Sequence, residues 1–165
     1  MKSFAVLLAA VVALAWTAAG AAEKFSEPET LIRGIYAQYS SDHWPADPEK
    51  ETFSPDLWKL WKEVSDAAEK ADDVGVDFDV FLDAQDTDTV SKVSTTFTPA
   101  GTDKGTVAIA FTAFDVESHI DFAMVKTAKG WKIDNITWKR SEDQGGTSDL
   151  RTELAAIKKD QASPD

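Results

Sequence analysis

Residues 90–138 read VSKVSTTFTPAGTDKGTVAIAFTAFDVESHIDFAMVKTAKGWKIDNITW, and this stretch decides the fold. Val93, Thr95 and Phe97 alternate with Lys92, Ser94 and Thr96, which predicts a strand with one buried and one polar face. Pro99 to Gly105 is a connecting loop. Val107, Ile109, Phe111 and Ala113 then line one face of a second strand, with the small Ala108 and Ala110 opposite. After a tight turn at Asp115 to Glu117, Ile120, Phe122 and Met124 point one way and His119, Asp121, Ala123 and Val125 the other. Lys129-Gly130 closes the next hairpin, glycine being free to take positive φ. The last strand changes parity: Trp131 and Ile133 fall on one phase, Ile136 and Trp138 on the other. A strand keeps both pairs on one face only if an extra residue intervenes, so a bulge is expected near Asp134-Asn135, and bulges bend sheets.

The remaining elements cover this sheet. Ser26 and Glu29 form a capping-box pattern ahead of Leu31, Ile32, Ile35, Tyr36 and Tyr39, which recur at helical spacing with the helix expected to end near Ser41. Asp42 to Phe53 reads as a loop, with Pro45 and Pro48 among polar residues. Ser54 as N-cap and Pro55 at the first helical position open a second helix, whose apolar stripe is Leu57, Trp61, Val64 and Ala68. Asp72 to Asp88 is acidic and is expected to hold a short helical turn within an ordered connection. Ser141 to Ser148 is a polar loop, and Leu150, Leu154 and Ile157 mark a final helix. The layout is α+β: N-terminal helices on a curved antiparallel sheet of about four strands, cone-like, with a C-terminal helix.

The first 22 residues have the anatomy of a secretory signal peptide: Lys2, an apolar core from Phe4 to Trp16, and small residues at Ala19-Gly20-Ala21. That core is shorter than the roughly 20 residues a spanning helix needs. The expected organisation is therefore 1–22 signal peptide, 23–160 a single cone-like domain and 161–165 a flexible tail. The chain has no cysteine, which excludes disulfides, thiolate metal sites and a lipid-bearing cysteine. A bacterial periplasmic or secreted protein is expected, soluble after cleavage and without a membrane anchor.

The formal net charge is −12, and losing Lys2 with the leader makes it one unit more negative. Such a surface repels phosphate backbones, so nucleic acid is not an expected partner. A basic protein remains a partner class, as does a small molecule; a homodimer through the open sheet face, around Phe114 or Trp138, is a further arrangement.

Three short motifs carry a resemblance: Pro-Glu-Thr-Leu-Ile-Arg-x-Ile-Tyr from Pro28, Asp-x-x-Leu-x-Ala-Gln-Asp across Asp79 to Asp86, and Trp-Lys-Ile-Asp-Asn-Ile from Trp131. With these the chain resembles the secreted bacterial family of unknown function that includes YbjP and YqhG. The resemblance implies a cone fold similar to the nuclear transport factor two-like, cystatin-type fold. The lipobox cysteine of the YbjP type is missing, so tethering is not implied. The family brings a fold and a compartment, and no reaction.

The chemistry-bearing candidates are few. His119 and Asp121 share a strand face and would form an imidazole–carboxylate pair for general acid–base work if that face were enclosed; on an open face they are an ordinary exposed pair. Asp83, Gln85 and Asp86 are candidates for holding a polar ligand at the mouth of the cone, and Gln85 and Asp86 alternatively brace the connection. Tyr36 and Tyr39 are candidate pocket residues, and Asp134 a candidate at the bulge, where side chains are often re-aimed. Asp72 to Asp88 is rich in carboxylates but lacks EF-hand spacing, so no metal site is assigned. No nucleophile elbow, phosphate loop, zinc-helix or dinucleotide fingerprint is present, and no cofactor is expected. The leading expectation is a non-enzymatic domain that binds a small molecule or a basic protein. The alternative is an isomerase, dehydratase or hydrolase using His119 and Asp121, with Tyr36 or Tyr39 converging on them in an enclosed pocket.

Overall fold

The computed structural model describes residues 26–40, 48–86 and 88–162. The expected signal peptide, and His43 and Trp44, lie outside the described residues.

Helix α1 spans Pro28–Tyr36 and continues as a 3-10 turn over Ala37–Ser40. Its N-cap is Glu27 and not Ser26, because Pro28 takes the first helical position, where its missing N–H costs nothing. Glu29 accepts from Thr95 Oγ1 at 3.1 Å. A five-residue helix α2, Pro48–Thr52, occupies the segment expected to be loop. Helix α3 spans Pro55–Ala71, with the Ser54 side chain accepting from the Leu57 amide as expected. The acidic segment then makes one uncontinued helical turn: the Leu82 and Asp83 amides donate to the Asp79 carbonyl at 3.2 and 2.8 Å. Val80, Phe81 and Leu82 are buried by it.

The sheet is antiparallel in the order β1 (Ser91–Pro99), β2 (Lys104–Ala113), β3 (Val116–Thr127), β4 (Gly130–Trp138) and a two-residue β5 (Ser148–Asp149). Helix α4, Leu150–Gln161, follows and packs against α3 and β4. Met124 faces Ile133 and Ala123 faces Asn135, so Asp134 is the extra residue of the expected bulge. It puts Ile133, Ile136 and Trp138 on the same buried face. A second irregularity lies between Ser91 and Ser94, where Lys92 has φ +52°. It turns Val93 outward to 40% exposure, against the alternation the sequence suggested. The β2–β3 turn is Phe114-Asp115, both at positive φ, which is the two-residue geometry that matches strand twist.

Helices α1, α3 and α4 cover one face of the sheet, and Tyr36, Phe81, Phe111, Phe122 and Trp138 fill the space between the layers. Trp138 is fully buried, which removes it from the exposed patch expected around it; Phe114 stays 44% exposed. The opposite face carries Thr96, Ala108, His119 and Asp121, exposed or half-buried. Among the described residues no helix is long and apolar enough to cross a membrane.

Candidate functional site

A groove of about 280 Å³ lies where the 79–84 turn meets the start of β3 and the end of β4. Trp138 is buried next to it, beneath Arg140. The indole Nε1 donates to the Val80 carbonyl at 2.9 Å, tying the turn to the sheet, and Phe78 packs edge-on against the ring at 5.4 Å. Arg140, two residues on, lies over the same ring at 5.2 Å, a cation–π arrangement.

Arg140 is held in a fork. Its Nε donates to Asp83 Oδ2 at 2.6 Å, its Nη2 donates to Asp83 Oδ1, and its Nη1 donates to Ser148 Oγ at 3.2 Å. Such bidentate charge-assisted pairs fix orientation as well as adding energy. The bonds to Asp83 hold the guanidinium above its ordinary pKa. Asp83 reaches this position because it ends the turn at φ +57°.

Antiparallel pairing sets His119 opposite Lys139: the Lys139 amide donates to the His119 carbonyl at 3.0 Å. The His119 imidazole Nε2 lies 3.0 Å from Glu117 Oε1, and Lys139 Nζ lies 3.0 Å from Asp121 Oδ2. Leu82, Val116 and Ile120 supply apolar lining. Two ion pairs, Arg140–Asp83 and Lys139–Asp121, and the His119–Glu117 contact therefore lie at the groove beside this apolar lining. Each partner is positioned by another, and each can be exchanged for a ligand group of the same charge.

The structure brings together some of the residues expected from sequence and separates the others. Asp83 and His119 both line the groove, and Asp121 touches its wall through Lys139. Tyr36 and Tyr39 lie on the helix-covered face, where Tyr36 packs on Phe111 and Phe122 at 4.9 and 6.3 Å. Phe122 and His119 have opposite parity on β3, so no enclosed pocket gathers the tyrosines with His119 and Asp121. Tyr36 Oη donates to the Phe81 carbonyl at 2.5 Å and Tyr39 Oη to Asp79 Oδ2 at 2.7 Å. Burial first, then the Asp79 charge, pushes both phenols above their ordinary range, so both stay neutral donors. Asp79 also caps the turn by accepting from the Phe81 and Leu82 amides. Gln85 and Asp86 are exposed and do not line the groove.

Asp134 has a bracing geometry. Its Oδ1 accepts from Ser54 Oγ at 2.6 Å and from Arg151 Nη2 at 2.8 Å, linking the starts of α3 and α4 to the bulge. The carboxylates of the acidic segment are dispersed among separate partners, and among the described residues no three His, Asp or Glu side chains gather as a metal site. Sequence reading missed Glu117, Lys139 and Arg140. Arg140 had a signal: extending the β3–β4 register past Trp138 puts Lys139-Arg140 beside His119.

No family model matches the chain, and no curated protein matches it in sequence. Among solved structures, one likeness is to a phospholipid-binding protein from Ralstonia solanacearum, determined in complex with a phospholipid. It has 11% identity over 67% of this chain and 66% of that one, with a TM-score of 0.29. At that score the likeness carries neither a fold nor a ligand to this chain.

Proposed function

We propose that this protein is a non-enzymatic, extracytoplasmic binding domain whose groove at Asp83, His119 and Arg140 takes a small polar molecule with both donor and acceptor groups. The observation that carries the reading is the Asp83–Arg140 fork, stacked on Trp138 and open to the groove beside it. A preorganised guanidinium and carboxylate bind a ligand without first paying to order themselves. The volume of about 280 Å³ is at the small end of ligand pockets, which suits a compact polar molecule. The alternating signs along the rim favour a zwitterion, or a neutral molecule rich in hydroxyl and amide groups, over a polyanion. His119 is half exposed and has no tyrosine within its face, which argues for recognition and against acid–base turnover. The leader-like first 22 residues support a periplasmic or secreted location, and the three short motifs support kinship with the family that includes YbjP and YqhG.

The test is a two-dimensional amide NMR titration with a panel of small zwitterionic and polyhydroxylated metabolites. The expected result is saturable shifts at Asp83, Ser118, His119 and Lys139, abolished in Arg140→Met. Shifts that map to the helix-covered face, or that survive Arg140→Met unchanged, would overturn the reading.

A further inference from the structure

The β2–β3 turn presents an apolar corner that folding alone does not call for. Phe114, Val116 and Val93, all at this end of the sheet, are three of the four large hydrophobics left exposed among the described residues. Ala113 pairs with Val116, so Phe114 and Asp115 are the two loop residues between them, both at positive φ. Glycine, asparagine and aspartate take this geometry with least strain, and an exposed ring there adds little to the core. The turn is nevertheless anchored. The Phe114 amide donates to Asp88 Oδ2, and Asp88 Oδ1 accepts from the Thr89 amide at 2.7 Å. Val116 also lines the strand-end groove, where Leu82 and Ile120 continue the apolar surface inward. A strained, anchored and exposed ring marks a contact surface, where strain of this kind is retained for what it presents.

The rim of this corner is negative. Asp115 stands in the turn, Glu117 follows Val116, and Asp86 lies two residues before Asp88; all three are exposed. Arg140 and Lys139 are paired with Asp83 and Asp121, and His119 lies against Glu117. Lys92, exposed at the start of β1, does not offset three carboxylates. The rim decides between occupants. A second copy would set Asp115 and Glu117 against their own counterparts, because a two-fold contact brings like patches together. Anionic lipid headgroups are repelled by the same carboxylates. A protein segment that carries an apolar side chain between basic ones meets both the ring and the rim.

We propose that the β2–β3 corner docks a basic segment of a partner protein, its apolar side chain seated on Phe114 and Val116 and its cations facing Asp86, Asp115 and Glu117. The ring supplies most of the affinity, as aromatic anchors do at interfaces, and the rim supplies orientation and steering. The rim's share falls with salt, because these carboxylates are exposed.

The experiment titrates the full chain with three end-blocked peptides, Lys-Leu-Lys-Phe-Lys, Glu-Leu-Glu-Phe-Glu and Lys-Ser-Lys-Ser-Lys, read by amide NMR. The first should shift the amides of Phe114, Asp115, Val116 and Glu117 and bind about tenfold or more tightly than the other two. Phe114→Asn places a residue suited to positive φ, so it should fold with an unchanged or higher Tm and weaken binding about tenfold or more. Asp115→Asn should weaken binding about threefold at low salt, as loss of one exposed charge pair does, and by less at high salt. Absence of shifts at the turn, equal binding of the basic and acidic peptides, or unchanged binding in Phe114→Asn overturns the proposal. Two further results also overturn it. A dimer in sedimentation that Phe114→Asn dissolves would make a second copy the occupant, and flotation with phosphatidylcholine vesicles lost in that variant would make it a membrane.

Discussion

The two ends of the β3–β4 hairpin hold grooves of equal size and opposite electrical design. At the strand end, each basic side chain has a carboxylate beside it: Arg140 has Asp83, Lys139 has Asp121, and the His119 imidazole lies against Glu117. At the turn end, three lysines share a wall of rings with no carboxylate in the lining. A balanced site keeps its side chains in place and recognises by exchange of hydrogen bonds, so geometry sets its specificity.

The largest expected effect breaks the balanced end at its base. Trp138→Ala removes a fully buried ring together with its bond to Val80 and the platform under Arg140. It should cost about 3–5 kcal/mol in denaturant unfolding. The lining at the turn end, built on Phe53 and Trp58, should keep its amide spectrum at temperatures where the variant is still folded.

Next is the fork itself. Arg140→Met leaves the Asp83 carboxylate, only 15% exposed, without its partner, and should cost about 2–3 kcal/mol. Combining it with Asp83→Leu should recover part of that loss, and a double-mutant cycle by urea denaturation measures the coupling. A purely additive cycle would mean that the two ends do not differ in the way their charges are held.

Tyr39→Phe sharpens the contrast between the grooves and the helix-covered face. It removes one part-buried bond to Asp79 and should cost about 1 kcal/mol, with ligand binding in the strand-end groove unchanged. A change in the ligand titration would mean that the tyrosine reaches a site.

The smallest effect is at the start of α4. Burial raises the Asp149 pKa, but bonds from Asn135, Thr152 and the Thr152 and Arg151 amides outweigh it, and the net value is lowered from 3.8. The folded state therefore favours the ionised form. Its stabilising contribution is fully present above the ordinary carboxylate value and is lost as pH falls through the lowered one. Urea midpoints at neutral pH and in acid should converge slightly in Asp149→Asn relative to the parent, by about 0.5–1 kcal/mol.

Much of the fold was legible because its signals are local and periodic. The parity change between Ile133 and Ile136 located the bulge at Asp134, and Ser54-Pro55 located the start of α3. Val93 was not legible, because the irregularity that turns it outward is a backbone twist at Lys92 with no residue signature. The short helix α2 was read as loop because proline weighs equally toward a turn and a first helical position. Of the site, His119 and Asp83 were visible as polar residues at unusual places. For Arg140 the strand register gave a place beside His119 but no role, since its meaning depends on Trp138 being buried beneath it and on Asp83 arriving from 57 residues away. The groove at the turn end joins the β3–β4 hairpin, with Lys129 and Lys132, to residues 50–58, more than 70 positions earlier, so no short sequence window contains it.

The central claim is that the strand-end groove holds a small polar ligand through Arg140. Native mass spectrometry of the chain, purified gently from its own host beside the Arg140→Met variant, tests it most directly. The account expects a retained mass of a small molecule on the parent and none on the variant. A bare parent chain, or the same retained mass on both, would contradict it.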